Sequence, residues 1–240
     1  MTDSFWLWIG CIGMAVGAAA IFLIGGRKTA DEETGTILHG TVPVIAACAY
    51  FAMAVGQGSL PWHSVQNGQT ISFSFYFARY IDWLFTTPIL LASLALTASH
   101  GRVRRAGPLV GILLADVLMI VTALFFGMST TGWIKWTWFV ISCGAFFAVY
   151  YVLLVGLREE AARQRADVQA AYTRNATFLS VIWFIYPVVL LLEPEGLAVI
   201  GSTLSCAIIV VIDLVSKVVY GLMTTVGHRA IAERDLREGA

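Results

Sequence analysis

This sequence is short of charge. Asp, Glu, Lys and Arg make up 12% of its 240 residues, about half the fraction of an ordinary soluble domain. Fifteen basic and fifteen acidic residues cancel to a formal net charge of zero. No basic stripe falls outside short loops, so the electrostatic footprint of a nucleic-acid binder is missing. Cysteine is equally sparse: Cys11, Cys48, Cys143 and Cys206 all lie inside apolar segments. None forms a CxxC or a Cys/His metal spacing, so we expect four small buried hydrophobes, with no disulfide framework and no metal site. The opening residues, MTDSFWLWIG, lack a basic n-region and include Asp3. We therefore expect no cleavable signal peptide, and the first apolar run reads as a spanning helix.

What fills the chain instead is apolar sequence, 58% of all residues, with a mean hydropathy of +0.79. Runs of membrane-spanning length fall near residues 5–25, 37–60, 73–98, 108–128, 133–155, 176–193 and 197–226. Each is long enough to cross a hydrocarbon layer of about 30 Å at 1.5 Å per helical residue. Turn signals separate them: Gly25-Gly26, the polar stretch Gln57 to Thr70, Gly107-Pro108, Gly132 and Pro194-Glu195-Gly196. The expected fold is an all-α, seven-transmembrane-helix bundle forming one domain over residues 1–240, without internal repeats. Connections after the first, third and fifth spans, together with the C-terminal tail, hold Arg27, Lys28, Arg102, Arg104, Arg105, Arg158, Arg163, Arg165, Arg174, Arg229, Arg234 and Arg237. The opposite connections hold Lys135 alone. That asymmetry places the N-terminus outside and the C-terminus in the cytoplasm. The charged segment 158–174 reads as a solvated connector that extends the fifth and sixth helices.

Five ionisable residues are left deep in the spans: Arg79, Asp82, Asp116, Asp213 and Lys217. A charge at the bilayer centre costs at least about 2.5–3.5 kcal/mol, so such groups face the bundle interior and pair. Asp213 and Lys217 are four residues apart, and Arg79, Asp82 and Thr86 fall at i, i+3 and i+7. Each set therefore shares one helix face. If the two faces meet, one lysine looks at two carboxylates on its outer side, with an arginine beyond them. A buried lysine either tends to lose its proton or condenses with a carbonyl compound, and the resulting cation needs a counter-ion. On spacing alone, a structural ion-pair cluster in a non-photochemical receptor or transporter is the serious alternative.

RYIDWLFTTPILL on the third helix and DLVSK on the seventh, with WFIYP on the sixth and LLADVLM on the fourth, resemble the microbial rhodopsins. The likeness is strongest to outward proton pumps of the bacteriorhodopsin and proteorhodopsin kind, and it covers all seven helices. The resemblance implies that Lys217 holds all-trans retinal as a protonated Schiff base. It further implies that Asp82 is the counter-ion and proton acceptor, Asp213 the second counter-ion, and Arg79 the coupling arginine. The implied retinal wall is Trp83, Thr87, Met119, Phe139, Ser142, Phe146, Trp183, Tyr186 and Pro187, with Tyr50 hydrogen-bonding near the counter-ions. Thr87 and Asp116 match a hydrogen-bonded pair between the third and fourth helices. Leu90 sits where the family tunes colour and implies green absorption. Phe139 is bulky where carotenoid-binding relatives have a glycine, so no carotenoid antenna is expected. A homo-oligomer, trimer or pentamer, in a prokaryotic plasma membrane is the family expectation; the partners are lipid and the transported proton.

The chain departs from the pump pattern in two places. The triplet reads Asp82, Thr86, Ser93, and the third position usually holds a carboxylate that returns a proton from the cytoplasm. A serine hydroxyl does not ionise near neutral pH. His39, in ILHGTVP near the same depth, has a side chain that titrates in the useful range and is the candidate replacement; the alternative is a hydrogen-bonded helix-end histidine. His63, His100 and His228 are assigned to loops and helix ends. Of the paired glutamates that release protons in the family, Glu195 matches one and Ser205 stands at the other, while Glu193 and Glu195 together read as a solvated loop. The functional expectation is a light-driven outward proton pump and not an enzyme; a sensory rhodopsin with a slow photocycle is the alternative.

Overall fold

A computed structural model describes residues 2–66, 69–101 and 106–239. Arg102, Arg104 and Arg105, which support the expected orientation, lie outside the described residues. Seven helices are long and apolar enough to cross a membrane. They are α1 (Asp3–Ile24), α2 (Ala30–Ala54), α3 (Phe77–Ala98), α4 (Ala106–Met128), α5 (Gly132–Ala161), α6 (Ala166–Leu192) and α7 (Ser202–Glu238). They follow one another around a closed ring in which α7 returns to pack on α1, while α3 also touches α6 across the middle. α3 is the most buried of the seven. The outward faces of the others carry large apolar residues such as Ile12, Val140, Phe147 and Val181; in a spanning bundle these face lipid. Cys48 also points outward, and of the four cysteines Cys206 alone is fully buried, so the expectation of four buried thiols is corrected; all four are free.

Several boundaries differ from the apolar runs because hydropathy does not mark helix ends. α2 begins at Ala30 rather than near 37, and Thr29 caps it: its Oγ1 accepts from the Glu32 amide at 3.2 Å. The Glu32 carboxylate in turn accepts from the Lys28 amide at 2.7 Å. α6 and α7 likewise run into polar sequence, to Ala166 and Glu238. After α2, Gly56 adopts φ +80°, a conformation that glycine enters without steric cost, and the chain turns out of the helix.

One element was not expected. β1 (Leu60–Gln66) and β2 (Gln69–Phe75) form an antiparallel hairpin in register from Leu60↔Phe75 to Gln66↔Gln69. Sequence carried the signal: Asn67-Gly68 separates two β-prone runs, the dipeptide most favoured in two-residue hairpins. The strands are amphipathic rather than uniformly apolar, so a search for spans passes over them. Phe75 is buried and stacks on Tyr80 with ring centroids 5.7 Å apart, tying the hairpin to α3. At the same end Asp3 accepts from Tyr76 at 3.0 Å and Thr203 at 2.5 Å, linking α1 to the start of α3 and to α7. This is the hairpin end of the bundle; the opposite, tail end carries the C-terminus.

Three helices loosen where their ladders are disturbed, α5 by π-helical geometry over Val152–Leu157. α6 is interrupted at Phe184, three residues before Pro187, whose ring removes an amide and crowds the Trp183 carbonyl. α7 widens to π-helical geometry over Val215–Val219, with Lys217 at its centre; such single-turn bulges concentrate at functional sites. α1 meets this bulge closely, for a Cβ added at Gly17 would lie 2.4 Å and 2.5 Å from the two γ-methyls of Val218. Gly17→Val should therefore cost about 1–3 kcal/mol through overpacking, read as a lower thermal unfolding midpoint; an unchanged midpoint would reject this close approach.

Candidate functional site

The faces inferred from helical spacing do meet. Lys217 Nζ is hydrogen-bonded to Asp82 Oδ2 and lies 3.3 Å from Asp213 Oδ1. All three side chains are essentially inaccessible, at 2%, 1% and 0% exposure. A cation so placed is tolerable because two carboxylates face it. The carboxylates differ in support. Asp213 accepts from Tyr50 at 2.7 Å and Tyr186 at 2.5 Å, with the Trp83 indole nitrogen at 3.4 Å. Asp82 Oδ1 has no hydrogen-bond partner among the described residues. Thr86, one turn along α3, bonds to the Asp82 carbonyl at 2.8 Å.

A cavity opens from the lysine. Trp83 and Thr87 line it from α3, Met119 from α4, Phe139, Ser142 and Phe146 from α5, Trp183, Tyr186 and Pro187 from α6, and Lys217 from α7. Every residue expected in the wall is there. Leu90 lines it too, as do Ile120, Ala123, Phe126, Cys143, Leu190 and Ser216, which the sequence reading missed; nothing separates them from ordinary packing residues in a linear chain. Its few polar atoms have partners: Thr87 donates to Asp116 at 2.7 Å, Ser142 to the Met119 carbonyl at 2.9 Å, and Tyr186 Oη is 3.0 Å from Ser216 Oγ. The space is a long-chain apolar pocket with an amine at one end.

Arg79 requires a correction. Buried at 3% exposure, it pairs not with the aspartates but with Glu193, 3.5 Å away, and its guanidinium lies over the Tyr76 ring. Glu193 and Glu195 are equally buried, at 2% and 3%, so the reading of a solvated loop is overturned. Glu195 accepts from Tyr80 at 2.5 Å and packs over Gly127, where an added Cβ would lie 2.6 Å from its Oε2. Ser205 donates to the Ser202 carbonyl at 3.0 Å and lies beside Glu193, so the serine at the second glutamate's expected place neighbours a carboxylate from the adjoining loop. Burial raises the Glu193 carboxyl above its usual range, against the lowering charge of Arg79. Burial, reinforced by the charge of Glu193, pushes Glu195 up to about 8. The Pro-flanked carboxylates bordering an apolar run were the signal available in sequence.

Toward the tail end, His39 Nε2 lies 2.7 Å from Ser93 Oγ, both buried. Depth matching along α2 and α3 thus places the pair correctly, and His39 is not solvated. His228, assigned to a helix end, is partly buried and 3.1 Å from Thr97 Oγ1. It lies eleven residues beyond Lys217, about 20° from the same helix face at 3.6 residues per turn, a spacing that could have flagged it.

An aromatic-walled cavity ending in a lysine between two aspartates, inside seven membrane-spanning helices, defines a retinal-protein type of site. A family profile described as "Bacteriorhodopsin-like protein" matches residues 1–231. The chain is 35% identical to Archaerhodopsin-2 of Halobacterium sp. (strain aus-2) over 98% of its own length and 89% of that protein. It is 36% identical to Bacteriorhodopsin of Haloterrigena sp. (strain arg-4), over 97% and 90%. Among solved structures, the thermophilic rhodopsin from Rubrobacter xylanophilus superposes with a TM-score of 0.87 at 33% identity, covering 96% of this chain and 98% of that one. The light-driven proton pump LR (Mac) from Leptosphaeria maculans gives 0.88 at 26% identity, covering 95% and 96%. The chain belongs to the bacteriorhodopsin-like family and is a multi-pass membrane protein.

Titration of the glutamate pair is directly testable. Below about pH 8 Glu195 holds its proton, and above it the carboxyl ionises. The infrared C=O stretch of a buried carboxylic acid should fade as pH rises through that value and be missing in Glu195→Gln at every pH. A band already absent at pH 6 in the unaltered protein would refute the assignment.

Proposed function

We propose that this chain is a light-driven outward proton pump of the plasma membrane, with all-trans retinal bound covalently at Lys217 Nζ as a protonated Schiff base. The observation that carries the reading is the Lys217 amine, set between Asp82 and Asp213 at the end of an aromatic-lined cavity. The residues fit the group: an amine to condense with its aldehyde, two carboxylates to neutralise the cation, and Trp83 and Trp183 to flank an apolar chain. Retinal, when bound, supplies visible absorption and a light-driven change of shape that alters the proton affinity and direction of the nitrogen joined to it.

The protein's own groups supply the rest. Three donors converge on Asp213 and occupy both its oxygens. Asp82, with one oxygen unpartnered, is the carboxylate with room for the proton that leaves Lys217 Nζ. On the outer side, Arg79 responds to the changed charge on Asp82 through its link to Glu193, and Glu195 is the group that lets a proton go to the outside. On the cytoplasmic side, His39 with Ser93 returns a proton to the lysine nitrogen. In this orientation the hairpin end and N-terminus face outward and the basic connections face the cytoplasm, as the positive-inside rule requires.

The sensory reading of the same fold is not favoured: the relatives are bacteriorhodopsins and archaerhodopsins, and one structural neighbour is titled a light-driven proton pump. An anion pump is disfavoured by the carboxylate at Asp82. The whole chain acts as one domain, assembled as a homo-oligomer, trimer or pentamer, with Leu90 setting green absorption and Phe139 filling the place of a carotenoid window.

Illuminated cells expressing the chain with all-trans retinal should acidify their medium, and a protonophore should abolish the signal. Alkalinisation, or no pH change despite a bound chromophore, would overturn the proposal. Lys217→Ala should lose the visible band. Asp82→Asn should keep a chromophore, absorb at a longer wavelength because the counter-charge is gone, and pump no protons. His39→Ala should slow recovery of the dark state, and normal recovery across pH would remove His39 from the scheme.

A further inference from the structure

The tail end of the bundle holds a second cavity, lined by Asp31, Glu32, Gly35, Thr97, His100 and His228 among others. His100 stands at its mouth. Nδ1 of this ring is 3.0 Å from Asp31 and Nε2 is 3.0 Å from Asp235, and all three side chains are partly exposed. The ring therefore touches solvent and bridges two carboxylates, the usual composition of a site that collects protons. His228, partly buried, lines the same cavity.

The hydrogen bonds around His228 favour one tautomer. Thr97 Oγ1 donates its one hydrogen to the Ser93 carbonyl at 3.0 Å. Toward His228 Nε2, 3.1 Å away, that oxygen can only accept, so Nε2 carries a hydrogen and Nδ1 is the bare nitrogen. His228 Nδ1 has no hydrogen-bond partner among the described residues. It faces Gly35, where an added Cβ would lie 2.1 Å away. The His228 ring is 5.9 Å from that of His39, centroid to centroid, and His39 is bonded to Ser93.

A repeated spacing sets these groups at one depth. Asp82 and Ser93, Lys217 and His228, and Tyr50 and His39 are each eleven residues apart on α3, α7 and α2. Eleven residues rise about 16 Å and return nearly to the same face. The three helices that build the lysine site thus build a second polar layer, about 16 Å toward the tail end.

We propose that His228 is a proton-relay residue of the uptake path, receiving protons collected at His100, Asp31 and Asp235 and passing them to His39 and Ser93. A proton added at Nδ1 makes the ring cationic; loss of the Nε2 hydrogen toward Thr97 and the His39–Ser93 pair leaves it neutral in the opposite tautomer, and ring reorientation resets it. No net charge stays behind. The charged groups around the ring are Asp31 and Glu32 from α2, His100 beyond α3, Arg174 from α6, which reaches Gly227, and Asp235 on its own helix. This relay rests on the His39 reading above.

His228→Gln keeps a donor toward Thr97 but cannot take a second proton. In the full chain carrying retinal, time-resolved absorption should show dark-state recovery slowed about tenfold or more, within the range positioned proton donors contribute. That recovery should slow further as pH rises, because protons then come from bulk water, and azide, a small diffusible weak acid, should restore it to within about twofold. Thr97→Val, which leaves the ring intact, should slow the same step in the same azide-sensitive way. In the dark, nitrogen-15 resonances of unaltered His228 should show hydrogen on Nε2 and a bare Nδ1. Normal recovery in either variant, slowing that azide does not rescue, or hydrogen on Nδ1 alone would overturn the relay. Slow recovery in His39→Ala beside normal recovery in His228→Gln would reject the relay and leave the His39 reading standing; normal recovery in both would remove both.

Discussion

Burial of one positively charged nitrogen in the middle of a low-dielectric bundle is the constraint from which the rest of the arrangement follows. An isolated ammonium there would cost several kcal/mol even after the protein relaxes, so the lysine must be met by carboxylates, and those must be met by donors. Asp82 and Asp213 supply the first requirement from α3 and α7. Tyr50, Tyr186 and Trp83 supply the second for Asp213, drawing α2 and α6 into the same knot. Asp82 is left less supported, and that inequality turns a static ion pair into a site where a proton can change place. The local backbone conforms as well: the π-helical widening around Lys217 alters which face each α7 residue presents.

The departures from the family pattern are compensated in space rather than in sequence. Ser205 stands where a second release glutamate is expected, and the structure seats Glu193 against that serine, with Arg79 on its other side. Ser93 stands where a donor carboxylate is expected, and the structure seats His39 against it. In both cases a short hydroxyl leaves room for a titratable group arriving from a neighbouring element, and Ser93 also bonds to its neighbour. A serine at a carboxylate's position therefore does not by itself mean that the function is lost.

Depth along the membrane normal is organised by helical geometry. Three helices carry groups at an eleven-residue spacing, so a layer of polar side chains recurs about three turns from the lysine. Between the layers lies apolar packing from residues such as Leu90 and Leu91, both buried. A pump needs this separation, because a continuous polar file would let protons leak back.

Membrane class, the number of spans and the pairing of Asp82, Asp213 and Lys217 were all legible in the sequence, and for one reason: charge inside hydrocarbon is so costly that every instance points to a partner. Side-chain period did the rest, since positions three, four and seven apart share a helix face whatever the tertiary structure. The resemblance in RYIDWLFTTPILL and DLVSK supplied the pocket wall, and each named residue lies on it. Helix ends at Ala30 and Glu238 and the 60–75 hairpin were not legible as apolar runs, because capping and strand pairing involve polar residues. The burial of Glu193 and Glu195, the partner of Arg79, and the meeting of His228 with Thr97 were decided only by the tertiary structure. Each depends on a loop or helix end folding back over the bundle, and whether a carboxylate or an imidazole faces water or protein is set by what covers it, which no local stretch of sequence encodes.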